Sequence, residues 1–398
     1  MVTDAVPEAY RAYLRLPEDI QASGAADPDS GAVLVTGATG FLGSALVSEL
    51  MAERPDRHVY CLVRPEPGPP EKRLRLALTE MELWTDDWAD RVHAIAGDLS
   101  LPAAGVSPPD AELLRNDISL IYHSGAFVNL AFPFEQVQAA NVGGTVEMLR
   151  LAGTGRPKRM CHVSTLSTID INSRNGEELD DPAPLGASAA MTTGYTRSKW
   201  IAERLVEQAS VRGLDVRTLR LGALAGHSRT GVSNPNDYAW LVVCACLEIG
   251  AVPLMRAPTS WLPVDLVARA SITLTALPSP QYRPYQVLPA GQVTYADIFS
   301  WLRRAGYHLP AMGFAQWRER LRQQADRGSR AVQAIASVIP KAGLPGEAQA
   351  DLHSPRTEAL LTAHGGAAPR LTEPTFQAFL ATGRRRKEIP PPTTQGLP

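Results

Sequence analysis

Short β-rich runs alternate with helical patterns along the first 222 positions, and that alternation limits the folds open to the chain. The runs are "AVLVTG" (32–37), "HVYCLV" (58–63), "VHAIAGDL" (92–99), "LIYHSGA" (120–126), "RMCHVST" (159–165) and "VRTLRLG" (216–222). Between them lie segments with apolar residues at helical spacing, notably 41–53, 134–152 and 195–212. Strands separated by helices pair in parallel through right-handed crossovers, which predicts an α/β fold with a doubly wound parallel sheet of Rossmann type. After about residue 222 the alternation breaks down. Segment 261–277 reads as a strand end and a helix returning to the sheet, and from about 291 the pattern is mostly helical and amphipathic.

The expected organisation is therefore a leader or linker over 1–30 that docks on the main domain, and a doubly wound main domain over 31–225 to which 261–290 return. A smaller, mostly helical substrate-facing cap takes 226–260 and 291–385. The charged, Pro-rich end, 386–398, reads as a disordered tail. At 398 residues the chain is too long for one ordinary core, and 44% hydrophobic residues suffice for a large one. A formal net charge of -2 gives no basic field for nucleic acid. Cys61, Cys161, Cys244 and Cys246 lack zinc-finger spacing and read as reduced core residues, with no metal site expected. No apolar run reaches the ~18 residues of a membrane span, and no signal-peptide pattern opens the chain, so a cytoplasmic protein away from membranes is expected.

"TGATGFLG" joins the first strand to the first helix, with Gly37, Gly40 and Gly43 at the turn. Glycine there permits a tight turn and close approach of backbone to a pyrophosphate seated on the helix N-terminus. Thr39, Phe41 and Leu42 complete that candidate cradle. The second strand ends in "CLVRPEP", with Arg64 where an acidic residue would hold the ribose 2′-hydroxyl of NAD. A guanidinium suits a 2′-phosphate, so the expected cofactor is NADPH, with Arg73 a candidate second partner. Asp98 and Leu99, in "AGDLS", are candidates at the adenine, Asp98 also reading as a turn former. Ser124, Gly125 and Ala126, in "HSGAFVN", are small enough to let backbone lie along the cofactor. His123 reads as a packed or hydrogen-bonded residue rather than a base. Asn141 falls inside a helix it disfavours, which suggests a specific hydrogen-bonding task.

"HVSTLST" ends the fifth strand, where open α/β sheets bind ligands. Thr165 is the candidate for the substrate carbonyl oxygen; alternation points Ser164 the other way. In "TGYTRSKWIAERL", Tyr195 and Lys199 share one face of a helix. A free phenol titrates at about 10, and an ammonium beside it is expected to lower that value and make it a ready proton donor. Lys199 could also hold the nicotinamide ribose.

In this order these residues resemble the extended short-chain dehydrogenase/reductase family. The closer resemblance is to the thioester reductase domains that close nonribosomal peptide and polyketide synthases and occur in carboxylic acid and aminoadipate reductases. It rests on "VLVTGATGFLG", "CLVRPE", "GDLS", "IYHSGAFVN", "ANVGGT", "HVSTLST", "GYTRSKWIAERLV", "GHSRTG" and "WLPVD", with "LPEDIQ" upstream, and covers about 15–290. The resemblance implies catalytic roles for Thr165, Tyr195, Lys199 and Asn141, and NADP contacts from Gly37, Gly40, Gly43 and Arg64. It implies NADPH-dependent release of an acyl or peptidyl thioester from a carrier-protein phosphopantetheine arm as an aldehyde, with alcohol after a second hydride, by a monomeric domain. Phe134, where many relatives have Tyr, and "RLGALAG" depart from the family pattern and are expected to reshape the pocket. A nucleotide-sugar epimerase, a ketone or aldehyde reductase and a non-catalytic NADP-sensing module are the alternatives; tightly held NAD in the first sits poorly with Arg64.

Overall fold

The computed structural model describes residues 7–129, 131–169, 193–278, 282–289, 291, 293–342 and 354–392. Strands β1 (Ala32–Thr36), β2 (Val59–Val63), β3 (Val92–Ala96), β4 (Ile118–His123), β5 (Arg159–Thr165), β6 (Val216–Leu221) and β7 (Tyr285–Val287) form one sheet. Their order is β7-β6-β5-β4-β1-β2-β3, and every neighbouring pair is parallel. Strand order reverses between β1 and β4, and a crevice outside the carboxyl ends of the strands follows from that reversal. β4 is buried from end to end, because both faces of the sheet are covered, so even its Ser119 and His123 lie inside.

The helices are α1 (Phe41–Glu53), α2 (Pro70–Glu80), α3 (Pro108–Asn116), α4 (Phe134–Gln138), α5 (Gly144–Gly153), α6 (Gly194–Val211), α7 (Tyr238–Ile249), α8 (Val264–Ala276), α9 (Tyr295–Arg304), α10 (Phe314–Gln324), α11 (Arg330–Ala342), α12 (Pro355–Ala363) and α13 (Glu373–Arg385). α1 lies between the sheet and α8, so residues 42–51 are all buried and its pattern is apolar nearly all round. α5 and α6 cover the other face. α4 runs into α5 through a π-helical stretch, Ala139–Gly143, so the helix expected over 134–152 is continuous but carries a bulge.

The smaller unit has its own core. Trp240, Trp261, Trp317, Ile298, Phe376 and Phe379 meet there, drawn from α7, α9, α10, α13 and the loop before α8. α7 starts on Asp237, whose carboxylate accepts from Trp240 N at 2.9 Å, and stops at Gly250 with φ +71°.

Two boundaries differ from the sequence reading. α12, expected in the cap, packs on α8 and β7, and Leu361 joins the core under the sheet. Its short amphipathic pattern gives no hint of which core it serves. The expected tail is placed as far as residue 392: Ile389 is buried in the small-domain core and the Tyr307 hydroxyl donates to the Pro390 carbonyl. Residues 393–398 lie outside the described residues. Phe134, which departs from the family pattern, is buried with its ring edge-on to Tyr10 and Tyr13 of the leader. Leu16 and Ile20 bury the rest of the leader against α6, where Gln208 and Arg212 bind its backbone. Among the described residues no helix is long and apolar enough to cross a membrane.

Candidate active site

The loop after β1 is shaped by contacts that only glycine allows. Gly37 has φ +73°, and a Cβ there would sit 2.7 Å from Gly125 Cα. A Cβ on Gly43 would lie 2.0 Å from the Gly37 carbonyl oxygen, so α1 begins pressed onto its own loop. Gly40 caps α1 without any side-chain bond, and Thr39 and Gly40 are exposed, which leaves the first N–H groups of α1 facing outward. Phe41 is half-buried and Leu42 buried, so they anchor the helix start. A Gly-rich turn feeding an uncapped helix N-terminus fits the diphosphate of a dinucleotide.

Ser124 donates to the Thr36 carbonyl at 2.7 Å and Gly125 N to Thr36 Oγ1 at 3.0 Å, which ties the 124–126 strip to the end of β1. Leu99 fills the space that a Cβ on Gly125 or Gly144 would need. Arg64 is exposed at the end of β2. Arg73 turns inward, donating to the Arg64 and Glu66 carbonyls, so it holds the loop that carries Arg64. Asp98 Oδ1 accepts from the Ser100 backbone N at 2.8 Å and hydroxyl at 2.7 Å, so that oxygen forms the turn.

The hydrogen-bonding task inferred for Asn141 is specific. From the π-bulge its Oδ1 accepts from Phe127 N at 2.6 Å, and its Nδ2 donates to Phe127 O at 3.2 Å and to Ser198 Oγ at 2.9 Å. Ser198 in turn donates to the Tyr195 carbonyl at 2.7 Å. Asn141 thus joins the loop after β4 to the first turn of α6. Thr145 continues the chain, donating to the Asn141 carbonyl at 2.7 Å and meeting His123 Nε2 at 3.1 Å, while His123 Nδ1 meets Thr36 Oγ1 at 2.8 Å. His123 is therefore fully engaged; burial, then the Lys199 charge, push its pKa down to about 3. His162, also buried and also facing Lys199, lies well below its usual value.

Thr165 ends β5 half-buried, and its hydroxyl caps the following turn by accepting from Ser167 N at 3.2 Å. Ser164 points into the fold, as strand alternation requires, and donates to Glu203. Tyr195 opens α6 and Lys199 follows one turn later on the buried face. Neither Tyr195 Oη nor Lys199 Nζ bonds to any described residue. Tyr195 keeps part of its surface open but is closely surrounded, and that burial pushes its phenol up to about 12. The expected lowering by Lys199 is thus not found. Burial acts on the ammonium too, lowering it to about 8 against the opposing pull of Glu203, so each side chain is driven toward its neutral form.

Sequence reasoning missed Ser198 and Glu203. Glu203 stands four residues after Lys199, a spacing that could have flagged it. It also missed a buried cluster in which ligand atoms of Glu49, His227 and Asp265 lie within 4.8 Å of one another. There Glu49 pairs with Arg229 at 3.1 Å and Arg269 at 2.8 Å, and Asp265 accepts from Ser228 N at 2.7 Å. The two guanidiniums balance the carboxylates, and the cluster ties "GHSRTG" to α1 and α8.

Residues 35–271 match the NAD-binding family described as male sterility protein. A linear gramicidin synthase of Brevibacillus parabrevis is 34% identical over 75% of this chain, yet the match spans only 6% of that synthase. L-2-aminoadipate reductase of Schizosaccharomyces pombe is 31% identical over 72% of the chain and 21% of its own length. The chain thus spans a small part of the curated relatives it matches. The crystal structure of the terminal R domain from the myxalamid PKS-NRPS pathway superposes with TM-score 0.87 at 32% identity, covering 98% of this chain and 100% of that one. The chain therefore belongs to this NAD-binding family and, within it, to the terminal reductase domains, as an oxidoreductase of extended short-chain dehydrogenase type.

Proposed function

We propose that this chain releases an acyl or peptidyl group from the phosphopantetheine arm of a carrier protein by NADPH-dependent reduction of its thioester to an aldehyde. The observation that carries this reading is that Thr165 closes β5 while α6, bearing Tyr195 and Lys199, packs on β5 and the turn after it, with Lys199 acting on His123 at the end of β4, in a fold whose first turn is a glycine cradle suited to a dinucleotide. Bound NADPH supplies the hydride. Arg64 would meet the 2′-phosphate, with Arg73 bracing its loop. Lys199, mostly protonated at pH 7, is free to bind ribose hydroxyls.

The Thr165 and Tyr195 hydroxyls act as paired donors to the oxygen that becomes negative as the thioester carbonyl is reduced. An alkoxide is a stronger base than a phenolate, so Tyr195 gives up its proton downhill even from about 12. Protonation yields a hemithioacetal. Its C–S bond then breaks, leaving the aldehyde and the carrier thiol. A second round on the aldehyde would give the alcohol.

The test is NADPH consumption with a panel of acyl-pantetheine thioesters and identification of products by mass spectrometry. Aldehyde and free thiol in equal amounts are expected. Tight NADPH binding with no turnover of any thioester would overturn the reading.

A further inference from the structure

Glu203 is completely buried on α6, one turn beyond Lys199, and its carboxylate reaches three other pieces of chain. Oε1 accepts from Ser164, the residue before Thr165, and lies 2.8 Å from Thr168 Oγ1 in the turn that Thr165 caps. That Thr168 hydroxyl is also 2.8 Å from the Thr165 carbonyl. Oε2 accepts from Arg220 Nη2 at 2.8 Å and Nε at 3.0 Å, and β5–β6 register sets Arg220 directly beside Ser164.

We propose that Glu203 is a positioning residue for the reduction: it fixes the end of β5 that bears Thr165 against the helix that bears Tyr195 and Lys199, and supplies the negative charge that Lys199 faces inside the fold. The inference rests on the function proposed above. Among the described residues, the charged and titratable groups around Lys199 are few. His123 on β4 and His162 on β5 are held neutral, Tyr195 keeps its proton, and Glu203 supports the ammonium against burial. Arg220 on β6 offsets part of that support: its Nε is shared between the two oxygens, reaching Oε1 at 3.2 Å, and Oε1 also serves the hydroxyls beside the site.

A carboxylate with a purely structural role would leave Lys199 titration alone; this arrangement does not. The direct test is 15N NMR of the lysine side chains in the full chain without cofactor, the Lys199 signal being assigned by its loss in Lys199→Met. The expected wild-type midpoint is near pH 8, falling by about one unit in Glu203→Gln. An unmoved midpoint overturns the electrostatic half of the proposal. The readout needs no turnover, so it is decided separately from the proposed reaction. If Glu203→Gln does not fold, Glu203→Asp, which keeps the charge, should hold the midpoint; a fall of a full unit there would contradict the proposal. For the positioning half, Ser164→Ala combined with Thr168→Val removes the bonds to β5 while sparing the Glu203–Arg220 pair. Turnover of the thioester should fall about tenfold or more with NADPH affinity unchanged and the Lys199 midpoint in place. Wild-type turnover in that double variant overturns it.

Discussion

A buried ammonium that the fold does not neutralise should cost stability, and Lys199 offers a clean measure of that cost. The side chain is 3% exposed, and its pKa falls from 10.5 to about 8 on folding. Because the folded value is the lower one, the unfolded chain binds the extra proton between those two values. Stability therefore rises with pH through that window, and the penalty is complete below about pH 8. At about 1.4 kcal/mol per pH unit the penalty is about 3 kcal/mol at pH 7, and about 1 kcal/mol remains at pH 9.5. Lys199→Met keeps the unbranched stem and removes the charge. The variant should be inactive but more stable than wild type by about 3 kcal/mol at pH 7, with the advantage shrinking by about 2 kcal/mol at pH 9.5. Any packing gain from the thioether adds equally at both pH values. His123 and Tyr195, near 3 and 12, do not titrate between them. Urea unfolding of both proteins at the two pH values measures the difference. An advantage that is absent, or that stays constant with pH, would refute the reasoning.

Tyr195→Phe removes a hydroxyl with no partner among the described residues, so unfolding free energy should move by less than about 0.5 kcal/mol while thioester reduction falls about 100-fold or more; near-normal turnover would remove Tyr195 from the chemistry. Arg64→Ala should narrow the NADPH-over-NADH ratio of kcat/KM by about tenfold, from loss of a charge-assisted contact; an unchanged ratio places the 2′-phosphate elsewhere. Gly43→Ala puts a Cβ 2.0 Å from the Gly37 carbonyl, so the loop must shift and NADPH affinity by fluorescence titration should drop at least tenfold; unchanged affinity would mean that this loop is not the cradle.

What can be read from sequence is what is local. β1 and α1 declare themselves because a buried parallel strand and a doubly covered helix both need apolar residues at their own period. Ser164 and Thr165 sort correctly because opposite faces of a strand alternate. What escapes depends on contacts between distant segments. Nothing within 355–363 says that α12 serves the sheet rather than the cap, and nothing in the Pro-rich end says that Ile389 fills the small core. Arg73 has the right charge for a phosphate, but two nearby carbonyls claim it. The expectation for Tyr195 fails for a physical reason: an adjacent ammonium is visible in the spacing, whereas the burial that outweighs it is not.

That reversal bears on how the site works. Had Lys199 lowered the phenol below the working pH, the resting state would hold a phenolate beside an ammonium, and the proton would already be gone when needed. Burial instead holds Tyr195 as a neutral O–H donor around neutral pH, well below its value of about 12. The residues that achieve this are arranged for geometry as much as for charge. Asn141 fixes the start of α6 through Ser198, and Glu203 fixes the helix a turn beyond Lys199 through Ser164 and Thr168. Lys199 lies between those two anchors and Tyr195 just before the first, its carbonyl bonded to Ser198, and the polar tips of both are unbonded to described residues. Such a donor, on a helix that cannot slide, loses little in reorganisation when charge develops on the substrate oxygen. Activity should therefore be more sensitive to the anchors than to the acidity of the phenol: shifting α6 by a fraction of an ångström misplaces a donor already acidic enough to protonate an alkoxide.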